Sequence, residues 1–230
     1  MKKILFAILP PWLLSRILEW KERIKVGNRG VYFSQFGEDI VLQYLTRSKK
    51  MGYYVDVGAN HPIRHSNTYL LYTRGWNGIN VEPDPFSISL LRRKRARDIN
   101  IQCGIGNAGK ATFYRFSNSR MNSFSKEAAD EAKRRGYHLI EEITVPLVPL
   151  SKILEDNPLP SLDVMNIDAE GYDLEILKSN DWSRFRPTLI VVEIYNLDFE
   201  NPKADPVYNF LRSEGYSLVA RTGYSAIFRS

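Results

Sequence analysis

Cysteine is almost absent from this chain. The single residue, Cys103, excludes an internal disulfide and fits a reducing compartment. Long apolar runs are missing as well. Ile4 to Leu9 is apolar, but Pro10-Pro11 interrupts it, and Arg16 arrives well before the roughly 20 apolar residues a membrane span needs. Lys2-Lys3 ahead of that run imitates a secretory signal, yet no small-x-small cleavage pattern follows. The sequence carries no internal repeat, low-complexity tract or recognisable RNA-binding module. A glycine-rich dinucleotide loop is the most telling absence. The turn Gly58-Ala59-Asn60-His61-Pro62-Ile63 has one glycine where G-x-G-x-x-G has three, and a proline without an amide proton, so a pyrophosphate would be badly served.

That defective loop follows the most informative segment present. Tyr53-Tyr54-Val55-Asp56-Val57 and Gly78-Ile79-Asn80-Val81-Glu82 are apolar runs without alternation, as suits parallel strands covered on both faces. Ligands of such sheets sit beyond the carboxyl ends of the strands, where Asp56, Gly58, Asn60 and Glu82 fall. S-adenosyl-L-methionine asks for a tight turn admitting its methionyl tail, acceptors for its ammonium group, and a carboxylate on the ribose hydroxyls. Asp56 with Gly58 and Asn60 meets the first two needs and Glu82 the third. An acid after the second strand is ambiguous alone, because NAD enzymes use one too; the glycine pattern tips the balance toward S-adenosyl-L-methionine.

Length and composition suit one catalytic domain: 230 residues, 43% of them hydrophobic, can bury a full α/β core. Residues 31–230 are read as a single Rossmann-like domain and 1–30 as an N-terminal helical extension. In that extension Leu13, Ile17, Trp20 and Ile24 repeat at helical spacing with charged residues elsewhere on the wheel, an amphipathic stripe that packs on protein or touches anionic membrane. The net charge of +6 is compatible with anionic lipid, nucleic acid or phosphorylated carrier-linked substrates and selects none of them.

The order of elements is regular. A helix is expected from Ser34-Gln35-Phe36-Gly37-Glu38-Asp39 onward, strands at 53–57 and 79–82, and a third at 99–104 ending in Gly104, which is counted with the cofactor residues. An added hairpin strand is expected at 110–116, and Thr144 to Leu150 as an extended piece at the sheet edge, since its prolines cannot donate to a central ladder. Strands at 162–167 and 188–194 and a closing hairpin at 216–228 complete the pattern. Residues 118–137 are polar and match no motif. Alternating strands and helices with a terminal antiparallel hairpin predict a class I methyltransferase sheet of about seven strands, mostly parallel, with helices on both faces.

Taken in order, SQFGED at 34–39, VDVGAN at 55–60, SNT at 66–68, GINVEP at 78–83, VPLVPLSKIL at 145–154 and IDAEGYDLEIL at 167–177 resemble the FkbM-type S-adenosylmethionine-dependent methyltransferases from about Phe33 to Tyr195. The resemblance implies O-methylation of a sugar, polyketide or related small molecule, often in the making of bacterial surface polysaccharides. It implies Gln35, Asp56, Gly58, Asn60 and Glu82 around the cofactor, with Asp168 and Glu170 at the lip where cofactor and acceptor meet. The chain departs from the family in carrying His-Pro after Asn60.

A hydroxyl acceptor must lose a proton, and a positioned base speeds that by about 10²–10⁴. Asp168 and Glu170 are the first candidates, against the alternative that they cap and complement the following helix. His65 is the next, since its ordinary pKa lies near working pH. Glu193, ending a buried strand, belongs to the site or pairs with a cation. His61 and His65 lie four apart and with Asp168 and Glu170 could hold a divalent metal, but spacing without a helix beneath it is poor support, and no metal is assigned. The run Arg92-Arg93-Lys94-Arg95-Ala96-Arg97 reads as a solvated helix end. The acceptor expected is therefore a glycan or other small hydroxyl compound in the cytoplasm, at the inner membrane face if the N-terminal helix binds lipid. A homo-oligomer is compatible with this, and no nucleic-acid partner is expected. A nucleic-acid methyltransferase and a non-catalytic binder of S-adenosyl-L-methionine remain the alternatives. Strand four ends in Asp-Ala-Glu-Gly, unlike the Asn/Asp-Pro-Pro-aromatic motif of enzymes that methylate base amino groups.

Overall fold

The computed structural model describes residues 32–230. The expected N-terminal amphipathic helix lies outside the described residues. The described residues contain ten strands: β1 Tyr53–Val57, β2 Asn77–Val81, β3 Ile99–Ile101, β4 Gly104–Ile105, β5 Gly109–Phe116, β6 Leu139–Val148, β7 Val164–Ile167, β8 Leu189–Glu193, β9 Ser217–Thr222 and β10 Ser225–Arg229. Seven of them form one sheet in the order β3-β2-β1-β7-β8-β10-β9. Pairing is parallel from β3 to β8, and β10 enters antiparallel to both β8 and β9. The expected class I methyltransferase sheet is therefore present, closing hairpin included.

Period-two alternation along the buried strands sorts their side chains to opposite faces. Val55, Val57, Ile79, Val81, Met165, Ile167, Ile190 and Val192 share one core with helices α5 Leu150–Asp156, α6 Asp173–Lys178 and α7 Pro206–Ser213. Tyr54, Val164, Leu189, Val191 and Ile227 pack instead with Leu42 of α1 Glu38–Leu45 and Leu71 of α2 Tyr69–Thr73. Both faces are covered, which is why these strands read as continuous apolar runs.

The second face also carries a buried polar network. Asp56 stands in register with Asn80 on β2 and Asn166 on β7. Asn166 donates to Asp56 at 2.8 Å and Asn67 donates to Asn166 at 2.9 Å. Asn80 donates to Asp98 at 3.0 Å. Arg95 has 0% exposure and donates to Asp98 (2.8 Å), to the Tyr54 hydroxyl (2.6 Å) and to Thr68 (3.0 Å). Here the reading of 92–97 as a wholly solvated run fails. Arg95 caps the C-terminus of α3 Pro85–Lys94 from inside the core, while Arg92, Arg93, Lys94 and Arg97 are exposed. A charge this deep is tolerable because its donors are met by acceptors, Asp98 among them.

Residues 104–148 depart most from expectation. The single strand expected at 99–104 is two: β3 ends the main sheet and β4 joins a separate three-stranded sheet of order β4-β6-β5. Thr144 to Val148 lies not at the edge of the main sheet but in β6, the middle strand of this smaller one. Its prolines are compatible with that place because β4 pairs only with Leu147 and Val148, so Pro146 falls just outside the stretch bonded on both sides. Between β5 and β6 come a 3-10 turn, Ser119–Met121, and helix α4 Lys126–Arg134. Ala129 and Ala132 of α4 pack on Tyr114 and Phe116 of β5.

Candidate active site

The carboxyl ends of β1, β2, β7 and β8 open into one cavity of about 660 Å³, roofed by the 118–124 and 135–137 segments. Its size lies within the usual range for small-molecule sites. Polar contacts fix the roof over the rim, and Asn122 Nδ2 donates to Asp84 at 3.4 Å as one of them. Arg115 bonds Asp84 at 2.8 Å while Asp84 caps α3, and Ser123 Oγ donates to the Glu170 carbonyl at 3.1 Å.

Gly58 makes the cavity's tightest turn. Its φ is +77°, and a Cβ there would stand 1.9 Å from the Asp168 carbonyl oxygen, so the loops after β1 and β7 pass in direct contact. Next to it, Asn60 has φ 45° and donates its amide to Glu82 Oε2 at 2.7 Å. The Asp84 amide donates to Glu82 Oε1, also at 2.7 Å. Burial pushes the Glu82 carboxyl up to about 7 in spite of these two bonds. Each oxygen keeps a further lone pair for a hydroxyl. Asn60 Oδ1 is buried with no partner among the described residues, an acceptor left for something else.

Asp56 lines the wall, but its two oxygens already accept from Asn166 and Thr68, and its carboxyl is pushed up chiefly by desolvation. Its geometry is that of an anchor for the loop. Gln35 and Gly104 also line the cavity; a Cβ at Gly104 would stand 2.5 Å from the Phe124 ring, so that glycine admits the roof.

The floor is acidic. Asp168, Glu170 and Glu193 offer oxygens that all lie within 4.8 Å of one another. Desolvation, then repulsion from Glu170, holds the Asp168 carboxyl well above the carboxylate range. Desolvation and Asp168 push Glu193 up to about 10. Glu170 is raised by burial while accepting from the Tyr195 hydroxyl at 2.8 Å. The Asp168 carboxylate accepts no hydrogen bond among the described residues, and Glu193 Oε2 is buried without one. Carboxylates crowded this way hold protons or attract a cation.

His65 lines the cavity with φ 56°, whereas the His61 ring accepts the Ile63 and Arg64 amides at 3.1 and 3.0 Å and so shapes its loop. Neither histidine joins the carboxylate cluster among the described residues. Asn60, His65 and Glu170 are the non-glycine residues with positive φ among those described, and all three line this cavity. Strain of that kind persists where surrounding structure over-determines it, most often at functional sites.

The family model "Methyltransferase FkbM domain" matches residues 56–218. The chain belongs to this methyltransferase family. Its cofactor is S-adenosyl-L-methionine, and the residues present suit it: a carboxylate after β2, an unpaired acceptor at Asn60, and an acidic floor for a sulfonium and an ammonium group. Among solved structures, the chain is similar to a TehB-like SAM-dependent methyltransferase from Corynebacterium glutamicum, with 10% identity over 94% of this chain and 96% of that one and a TM-score of 0.45. It is also similar to the O-methyltransferase from Bacillus cereus in complex with SAH, with 13% identity over 96% of this chain and 91% of that one and a TM-score of 0.42. No curated protein matches the sequence.

Several residues of this FkbM site escaped sequence reasoning. Phe36, Tyr195 and Tyr224 line the cavity at 45%, 45% and 44% exposure, and Arg120 and Arg135 line it from the roof. Two of these had a local signal: Phe36 lies in the SQFGED motif beside Gln35, and Tyr195 is two residues past the end of a buried strand.

Proposed function

We propose that this S-adenosyl-L-methionine-dependent methyltransferase methylates a hydroxyl oxygen of a sugar, in a precursor of a surface polysaccharide or glycolipid. The observation that carries the reading is the Asp168 carboxylate. It has no hydrogen bond of its own, a raised proton affinity, and a place on the floor of a cavity rimmed by exposed aromatic rings. Sugar rings offer C–H faces that stack on such rings, and their hydroxyls need a base.

The bound cofactor supplies a methyl carbon already activated by its sulfonium. Glu82 would accept from the ribose hydroxyls, and Asn60 Oδ1 from the cofactor's donors. With the sulfonium's positive charge beside it Asp168 would stand ionised, and it would then take the proton of the acceptor hydroxyl. Glu170, tied to Tyr195, keeps the floor negative, while Glu193 holds its proton beside Asp168. Holding the two reactants aligned is worth roughly 7–11 kcal/mol of barrier, and the base adds about 10²–10⁴ in rate. On this reading the enzyme works in the cytoplasm, where the N-terminal segment can touch anionic lipid on the inner membrane face.

The test is deletion in the host, with methyl ethers of its glycans measured by mass spectrometry. A methyl ether should vanish, return with the wild-type gene, and fail to return with Asp168→Asn expressed at equal level. Unchanged methylation in the deletion strain overturns the proposal.

A further inference from the structure

Residues 118–137, silent in the sequence, form the roof of the cavity. Four arginines lie between residues 104 and 148. Arg115 is paired with Asp84 and Glu141, and Arg134 with Glu131. The other two, Arg120 and Arg135, have no ion-pair partner among the described residues, and these are the two that line the cavity. Both are exposed.

Each is held at a defined place in the backbone. Arg120 sits in the 3-10 turn Ser119–Met121, where the side chain of Asn118 accepts its amide. Arg135 closes α4, with its amide on the Glu131 carbonyl at 3.0 Å and its guanidinium 5.5 Å from the centre of the Tyr137 ring. The fields of both reach Glu170 on the floor. The cavity thus has an acidic floor and two free guanidinium groups in its roof. A neutral sugar offers those groups only single hydroxyl acceptors, whereas an anion is gripped by a guanidinium through two parallel charge-assisted hydrogen bonds.

We infer that Arg120 and Arg135 form a clamp for an anionic group on the acceptor, of the phosphate or carboxylate class, so that the sugar methylated is a charged one. The clamp rests on the methyl-transfer reading of this cavity. It holds the acceptor by a group away from the reacting hydroxyl, which leaves the carboxylate floor to the cofactor and the proton.

The experiment is calorimetric binding of glucose 1-phosphate, glucuronate and glucose to the full chain saturated with S-adenosylhomocysteine. Wild type should bind at least one anionic sugar ten times or more tighter than glucose, and which one gains separates phosphate from carboxylate. Arg120→Gln/Arg135→Gln should remove that preference and leave the S-adenosylhomocysteine dissociation constant within about twofold, since neither residue serves the cofactor. Equal binding of charged and neutral sugars by wild type, or an anion preference that survives in the double variant, overturns the clamp. An arginine-dependent preference in a protein that fails to bind S-adenosylhomocysteine would uphold the clamp and overturn the methyl-transfer reading.

Discussion

Gly58→Ala should be the most damaging single-methyl change near the site, and its cost can be worked from the loop. Two penalties combine. At φ +77° an alanine sits in the left-handed region, which costs about 1–2 kcal/mol. Its Cβ would also stand 1.9 Å from the Asp168 carbonyl oxygen, where real contacts essentially never fall under 3.0 Å, so the two loops must part by more than an ångström. Both loops are pinned: the Gly58 amide donates to the Val81 carbonyl at 3.0 Å and the Asp168 amide to the Val57 carbonyl at 3.1 Å. Parting them strains one or both bonds, at roughly 1 kcal/mol each. The total is about 2–4 kcal/mol, read by urea denaturation. Because the moved atoms carry the cofactor edge and Asp168, S-adenosylhomocysteine affinity measured by calorimetry should fall at least tenfold. Turnover should fall on the order of a hundredfold, as misplacements near 1 Å do. Gly75→Ala is the control, with φ +92° and open space around its Cβ, and should show the backbone penalty alone. Equal stability losses at Gly58 and Gly75, with wild-type affinity at both, would refute the reasoning.

Stability should also depend on pH with a sign opposite to that of a protein rich in buried ion pairs. Glu82 and Asp173 are pushed up to about 7 and Glu193 to about 10, each chiefly by burial. The folded chain therefore keeps protons that the unfolded chain has released, and stability falls as pH rises through those values. His61, pulled down to about 4 from 6.5 by burial, acts the other way only below its ordinary value. Between pH 6.5 and pH 8 the loss should be about 3 kcal/mol, with about 2 kcal/mol of it from Glu193, and Glu193→Gln should remove most of it; denaturant midpoints that rise over this interval would contradict the assignment. Arg95→Met should cost about 3–5 kcal/mol by stranding Asp98 and Asp56 in the core. Arg93→Met, on the solvent side of the same helix, should stay within about 0.5 kcal/mol. Thermal denaturation of the pair checks this, and similar losses for both would mean that Arg95 is not the network's cation.

The sheet was legible because its strands are buried on both faces. Val55-Asp56-Val57 and Ile79-Asn80-Val81 have nowhere to go but a covered parallel sheet, and the positions of Gly58, Asn60 and Glu82 at the rim follow from where such strands end. Ordered motifs were enough to place the family, and with it the cofactor. Three things needed contacts far apart in the chain. Arg95 reads as one cation in a run until Tyr54, Thr68 and Asp98 are seen around it. The carboxylate floor needs Asp168 and Glu193 from adjacent strands whose pairing no local pattern states, and its raised proton affinities arise only from that meeting. The roof came last: within residues 118–137 only the short charged helix at 126–134 has a period, carried by alanines rather than large apolar side chains, and the segment's place over the rim is fixed by Arg115 on Asp84 and Ser123 on Glu170. Local sequence determined which segments become strands and which residues stand at their ends, since period and burial act within a few residues. Tertiary structure decided which charges face one another, because electrostatic energy depends on distance through space and on solvent exclusion, and neither is written along the chain.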